Sequence, residues 1–256
     1  MPTAELKVNL SGKTAVITGA SKGLGKAMAL ALSGAGAAIA LVSRDTEKLR
    51  EVEREIANAG GNAAYFEADV RDEAQVRRVE EDVRKRLGKA QILINNAGIN
   101  IRKNLIDFTL EEWQAVVDTS LTSTFLMCRA FVPHMRDTGY GRVLNMTSIM
   151  SHVSLPGRTA YSASKTALLG LIRSLALELA PEGITVNGIS PGPFGTEMNL
   201  PIMNNPEVNA QFLASIPVGR WGKVEDIGSL ALYLCSEHAS FITGTDIVID
   251  GGWTAR

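Results

Sequence analysis

Seven short, β-branched apolar runs alternate with longer helical patterns along these 256 residues, and that rhythm restricts the chain to very few folds. Strands are predicted at Thr14–Thr18, 38–42, 63–68, 91–94, Gly141–Met146, 184–189 and 245–249. Helices are predicted at 24–33, 46–59, Glu73–Leu87, 110–135, 158–180 and Val224–Cys235. The strands are near-continuously apolar rather than alternating, so both faces of the sheet should be covered by helices. Repeated βαβ units with right-handed crossovers then predict one α/β domain with a doubly wound, seven-stranded parallel sheet. No internal repeat or linker divides residues 1–256. The stretch 190–217 holds five prolines and reads as irregular; a substrate lid at about 192–216 is expected, with a plain solvated loop as the alternative.

Composition removes several function classes. A formal net charge of -1 offers no global field for nucleic acid or an acidic membrane. No apolar run reaches about 18 residues, and the opening residues MPTAELKVNLSGK lack the apolar stretch of a secretory leader. A cytoplasmic protein that binds neither nucleic acid nor membrane is expected. Cys128 and Cys235 lie in apolar helical patterns and read as buried reduced thiols, a disulfide being the alternative. No spacing of His, Cys, Asp or Glu reads as a metal site.

Between the first strand and first helix stands Thr18-Gly19-Ala20-Ser21-Lys22-Gly23-Leu24-Gly25. Glycines there allow a tight turn and close approach to a pyrophosphate, which the following helix start attracts with free N–H groups and its positive dipole end. A ligand-free glycine turn is the bland alternative. The spacing departs from G-x-G-x-x-G and resembles the TGxxxGxG fingerprint of the short-chain dehydrogenase/reductase family. Further matches follow in that family's order: Asp69-Val70 after the third strand, Asn95-Asn96-Ala97-Gly98 after the fourth, Ser148 after the fifth, Tyr161 and Lys165 as a YxxxK pair, Pro191-Gly192 after the sixth, and Thr196 beyond it. The resemblance runs from about Leu10 to Trp253. It implies a Rossmann fold, a nicotinamide dinucleotide, and hydride transfer between that cofactor and a carbonyl/alcohol pair. It also implies that Gly19, Ser21, Lys22, Gly23, Leu24 and Gly25 hold phosphates, that Asp69 and Val70 meet the adenine, and that Asn96, Ala97, Gly98, Pro191, Gly192 and Thr196 border the cofactor.

Two cations bear on which dinucleotide is used. Lys22 lies in the glycine loop and Arg44 follows Ser43 at the end of the second strand, where NAD enzymes usually carry an acid. A guanidinium accepts a 2′-phosphate and stacks on adenine. NADP(H) is therefore expected, with NAD(H) as the second choice through Asp45. Tyr161 and Lys165 are four residues apart on one helical face. Tyr161 is the expected general acid in reduction and base in oxidation, because a nearby ammonium favours phenolate. By resemblance Lys165 also holds the nicotinamide ribose, and Ser148 bonds the substrate oxygen.

The family's pattern W-x4-D-x-N-L-x-G is altered here: Trp113 and Asp118 are followed by Ser120 at the asparagine position and Ser123 at the glycine position. In the family that asparagine supports a helix distortion and a water-linked proton path to the lysine. Ser120 is expected to substitute in part, although a serine hydroxyl is short and can fold back onto its own helix. His152 reads either as a pocket-lining residue or as a solvated loop histidine. Asn100, Arg102 and Arg158 are candidates to meet a polar or anionic substrate. The wording Asn95–Arg102 is similar to gluconate 5-dehydrogenase-type members, and also to 3-oxoacyl-acyl-carrier-protein reductases. A keto-sugar acid such as 5-ketogluconate is the favoured substrate, with a 3-oxoacyl thioester or a broad range of ketones next. A homotetramer is expected, a dimer second. The rival from another class is a non-catalytic dinucleotide-binding regulator, supported only by Ser120.

Overall fold

The computed structural model describes residues 7–255, so the start of the chain, where no leader is expected, lies outside the described residues. Seven strands, β1 (Thr14–Thr18), β2 (Ala38–Ser43), β3 (Asn62–Glu67), β4 (Ile92–Asn95), β5 (Gly141–Met146), β6 (Ile184–Pro191) and β7 (Asp246–Ile249), pair in the order β3-β2-β1-β4-β5-β6-β7. Every pairing is parallel. The doubly wound sheet is therefore as expected.

Adjacent strand residues feed opposite cores, which explains the unbroken apolar runs. In β1, Ile17 joins the core under helices α1 (Gly23–Gly34), α2 (Thr46–Asn58) and α9 (Val224–Cys235). Its neighbour Val16 joins the core under α3 (Glu73–Leu87), α5 (Ser123–Phe131) and α6 (Thr159–Leu179). Asp45 and Asp72 cap α2 and α3 by accepting backbone N–H groups, at 3.1 Å from Lys48 and 2.9 Å from Ala74. A reciprocal Thr109–Glu112 capping box opens α4 (Leu110–Val117). Strand order reverses around β1, which sits between β2 and β4, and a crevice opens there at the carboxyl ends of the strands.

Two regions differ from expectation. The stretch 110–135 is not one helix. A five-residue π turn, Asp118–Thr122, separates α4 from α5, and a 3-10 turn at Val132–His134, carrying Pro133, ends it. By length and composition residues 110–134 would suffice to cross a membrane, but Val116, Leu126, Met127 and Phe131 are buried in the core of this domain. The second region, 190–217, is substantially helical. It forms a 3-10 turn at Glu197–Asn199, α7 (Leu200–Met203) and α8 (Pro206–Ala214). Pro206 occupies the first turn of α8, and Asn205 caps that helix by accepting from Val208 N–H at 3.2 Å. Proline and asparagine act here as helix starters rather than breakers.

Both cysteines are free and buried, and burial pushes each thiol up to about 12. His134 is structural: it accepts from the Ala90 N–H at 3.1 Å and meets Glu80 at 2.6 Å.

Candidate active site

The crevice is a cleft of about 480 Å³. At one end lies the glycine loop. Gly19 and Gly23 adopt φ of +64° and +56°, the left-handed region that side chains disfavour. A Cβ on Gly25 would stand 2.3 Å from the Gly19 carbonyl, so only glycine lets α1 start this close to β1. The end of β4 locks the loop. Asn96 donates through Nδ2 to the carbonyls of Thr18 and Gly19 at 2.9 and 3.1 Å. The backbone N–H groups of Asn96 and Ala97 donate to Thr18 Oγ1 at 2.9 and 3.0 Å. The start of α1 carries no side-chain cap and no acid in its first turn, and so keeps its dipole for a ligand. These features fit a dinucleotide pyrophosphate.

Beside the loop, Ser43 donates to Ser21 Oγ at 3.3 Å. Arg44 is 66% exposed and reaches Asp69 only at 3.8 Å, so its guanidinium remains available for a phosphate. Asp45 is engaged as the cap of α2. Arg71 grips both Asp69 oxygens at 2.6–3.1 Å and holds that carboxyl below its usual range. Lys22 pairs with Glu197, a link between the glycine loop and the 197–214 segment that the sequence did not suggest.

At the other end of the cleft stand Ser148, Tyr161 and Lys165. Ser148 Oγ accepts from Met150 N–H at 3.1 Å and stands beside the Tyr161 hydroxyl. Burial raises the Tyr161 pKa, opposed by the neighbouring Ser148 hydroxyl and by the positive charge of Arg158. Lys165 Nζ lies 5.7 Å from the Tyr161 ring centroid and donates to the Met146 carbonyl at 2.5 Å. Burial lowers Lys165 to about 8. Arg158 thus supplies positive charge that favours the phenolate.

Ser120 lies in the π turn. Its neighbours Thr119, Ser123 and Thr124 each donate to the carbonyl four residues back, at 2.6, 2.7 and 2.9 Å. Ser120 does not: its Oγ is buried and has no hydrogen-bond partner among the described residues. A Cβ on Gly98 would lie 3.5 Å from Lys165 Nζ and 3.7 Å from Ser120 Oγ, so the two groups face one space. The distortion expected around an asparagine is thus present with serine.

The expected site residues converge: all border the cleft except Gly25, which lies beneath the loop, and Ser120, which lies behind Gly98. Asn100, Arg102 and Arg158 border it too. Asn100 Oδ1 is buried without a partner among the described residues. Arg158 is held below its usual range by burial and by repulsion from Arg102. Sequence reasoning missed Phe212 and Trp253 as lining residues. His152 does not line the cleft; its Nε2 lies 2.6 Å from Asp246. No cluster among the described residues suits a metal ion.

Comparison with known proteins agrees with this geometry. A family model described as Enoyl-(Acyl carrier protein) reductase matches residues 19–254. The 3beta-hydroxysteroid dehydrogenase 1 of Eggerthella lenta is 39% identical, covering 96% of this chain and 95% of its own. The 3-oxoacyl-(acyl-carrier-protein) reductase of Aquifex aeolicus is 34% identical, covering 96% and 99%. The crystal structure of a gluconate 5-dehydrogenase from Burkholderia cenocepacia, in complex with NADP and tartrate, superposes with a TM-score of 0.93 at 33% identity over 98% of each chain.

The buried ammonium has a measurable cost. With a folded pKa of about 8 against about 10.4 unfolded, Lys165 binds fewer protons in the folded chain between those values, so stability rises with pH across that window. Below it the penalty is full, about 3 kcal/mol by linkage. Replacing Lys165 by Met strands the Met146 carbonyl at roughly 1 kcal/mol. Lys165→Met should therefore stabilise the dinucleotide-free protein by about 2 kcal/mol at pH 7 and abolish the rise between about pH 8 and 10.5. Urea unfolding across pH measures both effects.

Proposed function

This chain belongs to the short-chain dehydrogenase/reductase family, oxidoreductases acting on hydroxyl and carbonyl groups, and we propose that it interconverts a ketone and a secondary alcohol with NADP(H) as the preferred dinucleotide. One observation carries the reading: Ser148, Tyr161 and Lys165 line the same cleft as the uncapped glycine loop. The bound dinucleotide gives hydride in reduction and takes it in oxidation. Tyr161, kept protonated by burial, hands its proton to the carbonyl oxygen. Ser148 Oγ already accepts from Met150 N–H, so its own proton is directed at that same oxygen. Lys165, lowered to about 8, replenishes the tyrosine's proton, and Ser120 across Gly98 extends the path through water. The membership sets aside the non-catalytic regulator.

Gly19, Ser21, Gly23, Leu24 and Gly25 would hold the pyrophosphate, and Lys22, Ser43 and Arg44 the 2′-phosphate. Asp69 and Val70 would flank the adenine, and Asn96, Ala97, Gly98, Pro191, Gly192 and Thr196 the nicotinamide half. Solved relatives with bound NADP support the choice of dinucleotide, with NAD(H) as the lesser alternative.

For the substrate, a small keto-acid such as a keto-sugar acid is the preferred reading. Arg158 and Arg102 repel one another at the catalytic end of the cleft, and neither is paired with a carboxylate among the described residues. A substrate anion would relieve both. The related gluconate 5-dehydrogenase with NADP and tartrate supports this. A 3-oxoacyl thioester or a broader ketone range is the second reading, favoured by the apolar Leu155, Phe212 and Trp253 along the cleft. Residues 192–216, which carry Phe212, act as the lid over it. The protein works in the cytoplasm as a homotetramer; Phe241, fully exposed, and the half-open edge strand β7 support the assembly.

NADPH oxidation should be fastest with keto-acids, followed across 5-ketogluconate, 3-oxoacyl thioesters and simple ketones. Tyr161→Phe should lower kcat by about 10²- to 10⁴-fold; retained turnover would refute the proton assignment. Arg158→Ala should raise KM for keto-acids alone, and an equal rise for neutral ketones would refute the anion subsite. Ser120→Asn should hold or raise turnover in the same assay. Arg44→Asp should move the NADPH/NADH preference toward NADH by about tenfold or more, equivalent to one lost charge-assisted hydrogen bond; an unchanged ratio removes the phosphate assignment. Light scattering at micromolar concentration should give four times the 27.4 kDa chain mass, and a monomer would exclude the assembly.

A further inference from the structure

Next to Ser148 lies a polar cluster that the chemistry above does not use; Thr147 borders the cleft, while Ser190, His152 and Asp246 do not. Its centre is Asp246, the first residue of β7, whose side chain is 8% exposed. Oδ1 accepts from Thr147 Oγ1 at 2.5 Å. Oδ2 accepts from Ser190 Oγ at 2.6 Å and meets His152 Nε2 at 2.6 Å. Ser190 Oγ also lies 2.9 Å from the Ser148 carbonyl, and Thr147 Oγ1 2.7 Å from the Ile189 carbonyl. Room for the carboxylate is built into the neighbouring strand. Gly188 is paired with Asp246 across β6 and β7, and a Cβ there would stand 2.1 Å from Oδ1.

The arrangement has a direction. Thr147 and His152 are the two ends of the turn that follows β5, and Ser148 sits inside it as the N-cap of the 3-10 turn Ile149–Ser151. One carboxylate therefore grips both ends of the segment that carries the serine hydroxyl, and the hydroxyl of Ser190 reaches the serine's own carbonyl. Thr147 is tied on its backbone as well, its N–H donating to Ile189 O at 2.9 Å. Hydroxyl and imidazole donors converging on a buried carboxylate hold its position far better than packing alone.

We propose that Asp246 is a positioning residue for Ser148, tying both ends of the 147–152 turn to β7 and so fixing the hydroxyl that meets Tyr161. This rests on the reading of Ser148 and Tyr161 as the proton machinery. Its signature is transmitted through Ser148 alone. The Ser148 hydroxyl favours the Tyr161 phenolate, alongside Arg158, while Lys165 lies over the same ring. Loosening Ser148 should therefore make Tyr161 harder to ionise.

The test needs no knowledge of the substrate. Tyr161 ionisation is read in the NADP⁺-saturated protein as 295 nm absorbance against pH, each variant being corrected by its own Tyr161→Phe counterpart. Ser148→Ala should raise the Tyr161 midpoint by about one pH unit, the scale of one hydrogen bond. Asp246→Ala should raise it by a comparable amount, and the double variant no further, since both act through one contact. Asp246→Asn, which keeps one acceptor oxygen, should recover part of the shift. Thr147→Val and His152→Ala, each cutting one end of the tie, should each give part of it and keep the measurement decisive where Asp246→Ala fails to fold. A wild-type midpoint in all the tie variants beside a raised one in Ser148→Ala overturns the proposal and leaves the proton machinery standing. Additive shifts overturn it too. An unmoved midpoint in Ser148→Ala overturns the Ser148–Tyr161 pairing itself, and the proposal with it.

Discussion

The carbonyl of Gly19 occupies the space that a side chain on Gly25 would need, and the site follows from that contact. It brings the first turn of α1 hard against the end of β1, so the helix start points into the crevice where the strand order reverses. Asn96 then fills the remaining gap and binds the two carbonyls that the turn exposes. Because Asn96 follows β4, this brace also aligns β4 with β1. β5 lies against β4 in register, Ile94 beside Leu144 and Asn95 beside Asn145. Ser148 leaves the end of β5 two residues beyond the strand. The distance from phosphate cradle to proton machinery is thus measured in rigid strand spacings, with no loop in the path.

At the catalytic end, burial acts on three titrating groups. It raises Tyr161, lowers Lys165 to about 8 and lowers Arg158. The first two shifts move the phenol and the ammonium apart, so the tyrosine holds its proton while the lysine releases its own more readily, which suits a lysine that resupplies a tyrosine. Among the described residues Lys165 hydrogen-bonds a carbonyl and pairs with no carboxylate, and so keeps the freedom to lose its proton that a carboxylate partner would remove.

The sheet was legible because each strand feeds two cores and must read as apolar throughout, as Val16 and Ile17 do. The glycine loop was legible because its spacing is set by local geometry. The π turn was not. Helical periodicity is the same on either side of it, and the hydroxyls of Thr119, Ser123 and Thr124, which bond back along the helix, look in sequence like ordinary polar positions. The helices of 197–214 were hidden because Pro206 and Asn205 carry the signals of a breaker and of a helix start alike. Long-range pairs were beyond reach. His152 and Asp246 lie 94 positions apart, and Lys22 and Glu197 175 apart, so no local pattern joins them. The alternatives weighed for His152, pocket wall or solvated loop, both assumed that a loop residue has no distant partner.

Relatives whose names point to steroids, acyl-carrier-protein thioesters and sugar acids match this chain at similar identity, so selection among such substrates belongs to groups outside the shared machinery. In this cleft the groups proposed for that selection are Asn100, Arg102, Arg158, Phe212 and Trp253, which all line it. On the proposed keto-acid reading the two arginines discriminate by penalty as well as by attraction. A neutral ligand that fills the catalytic end strips more water from two cations that already repel each other. An anion replaces that water and cancels the repulsion, so the same desolvation that disfavours one class of substrate strengthens the hold on the other. Arg158 also precedes Tyr161 by three residues at the start of α6, and both border the cleft. On the proposed reading, charge selection and proton transfer therefore share one helical turn, so that seating a substrate anion on Arg158 also sets it beside the tyrosine proposed to complete the reaction.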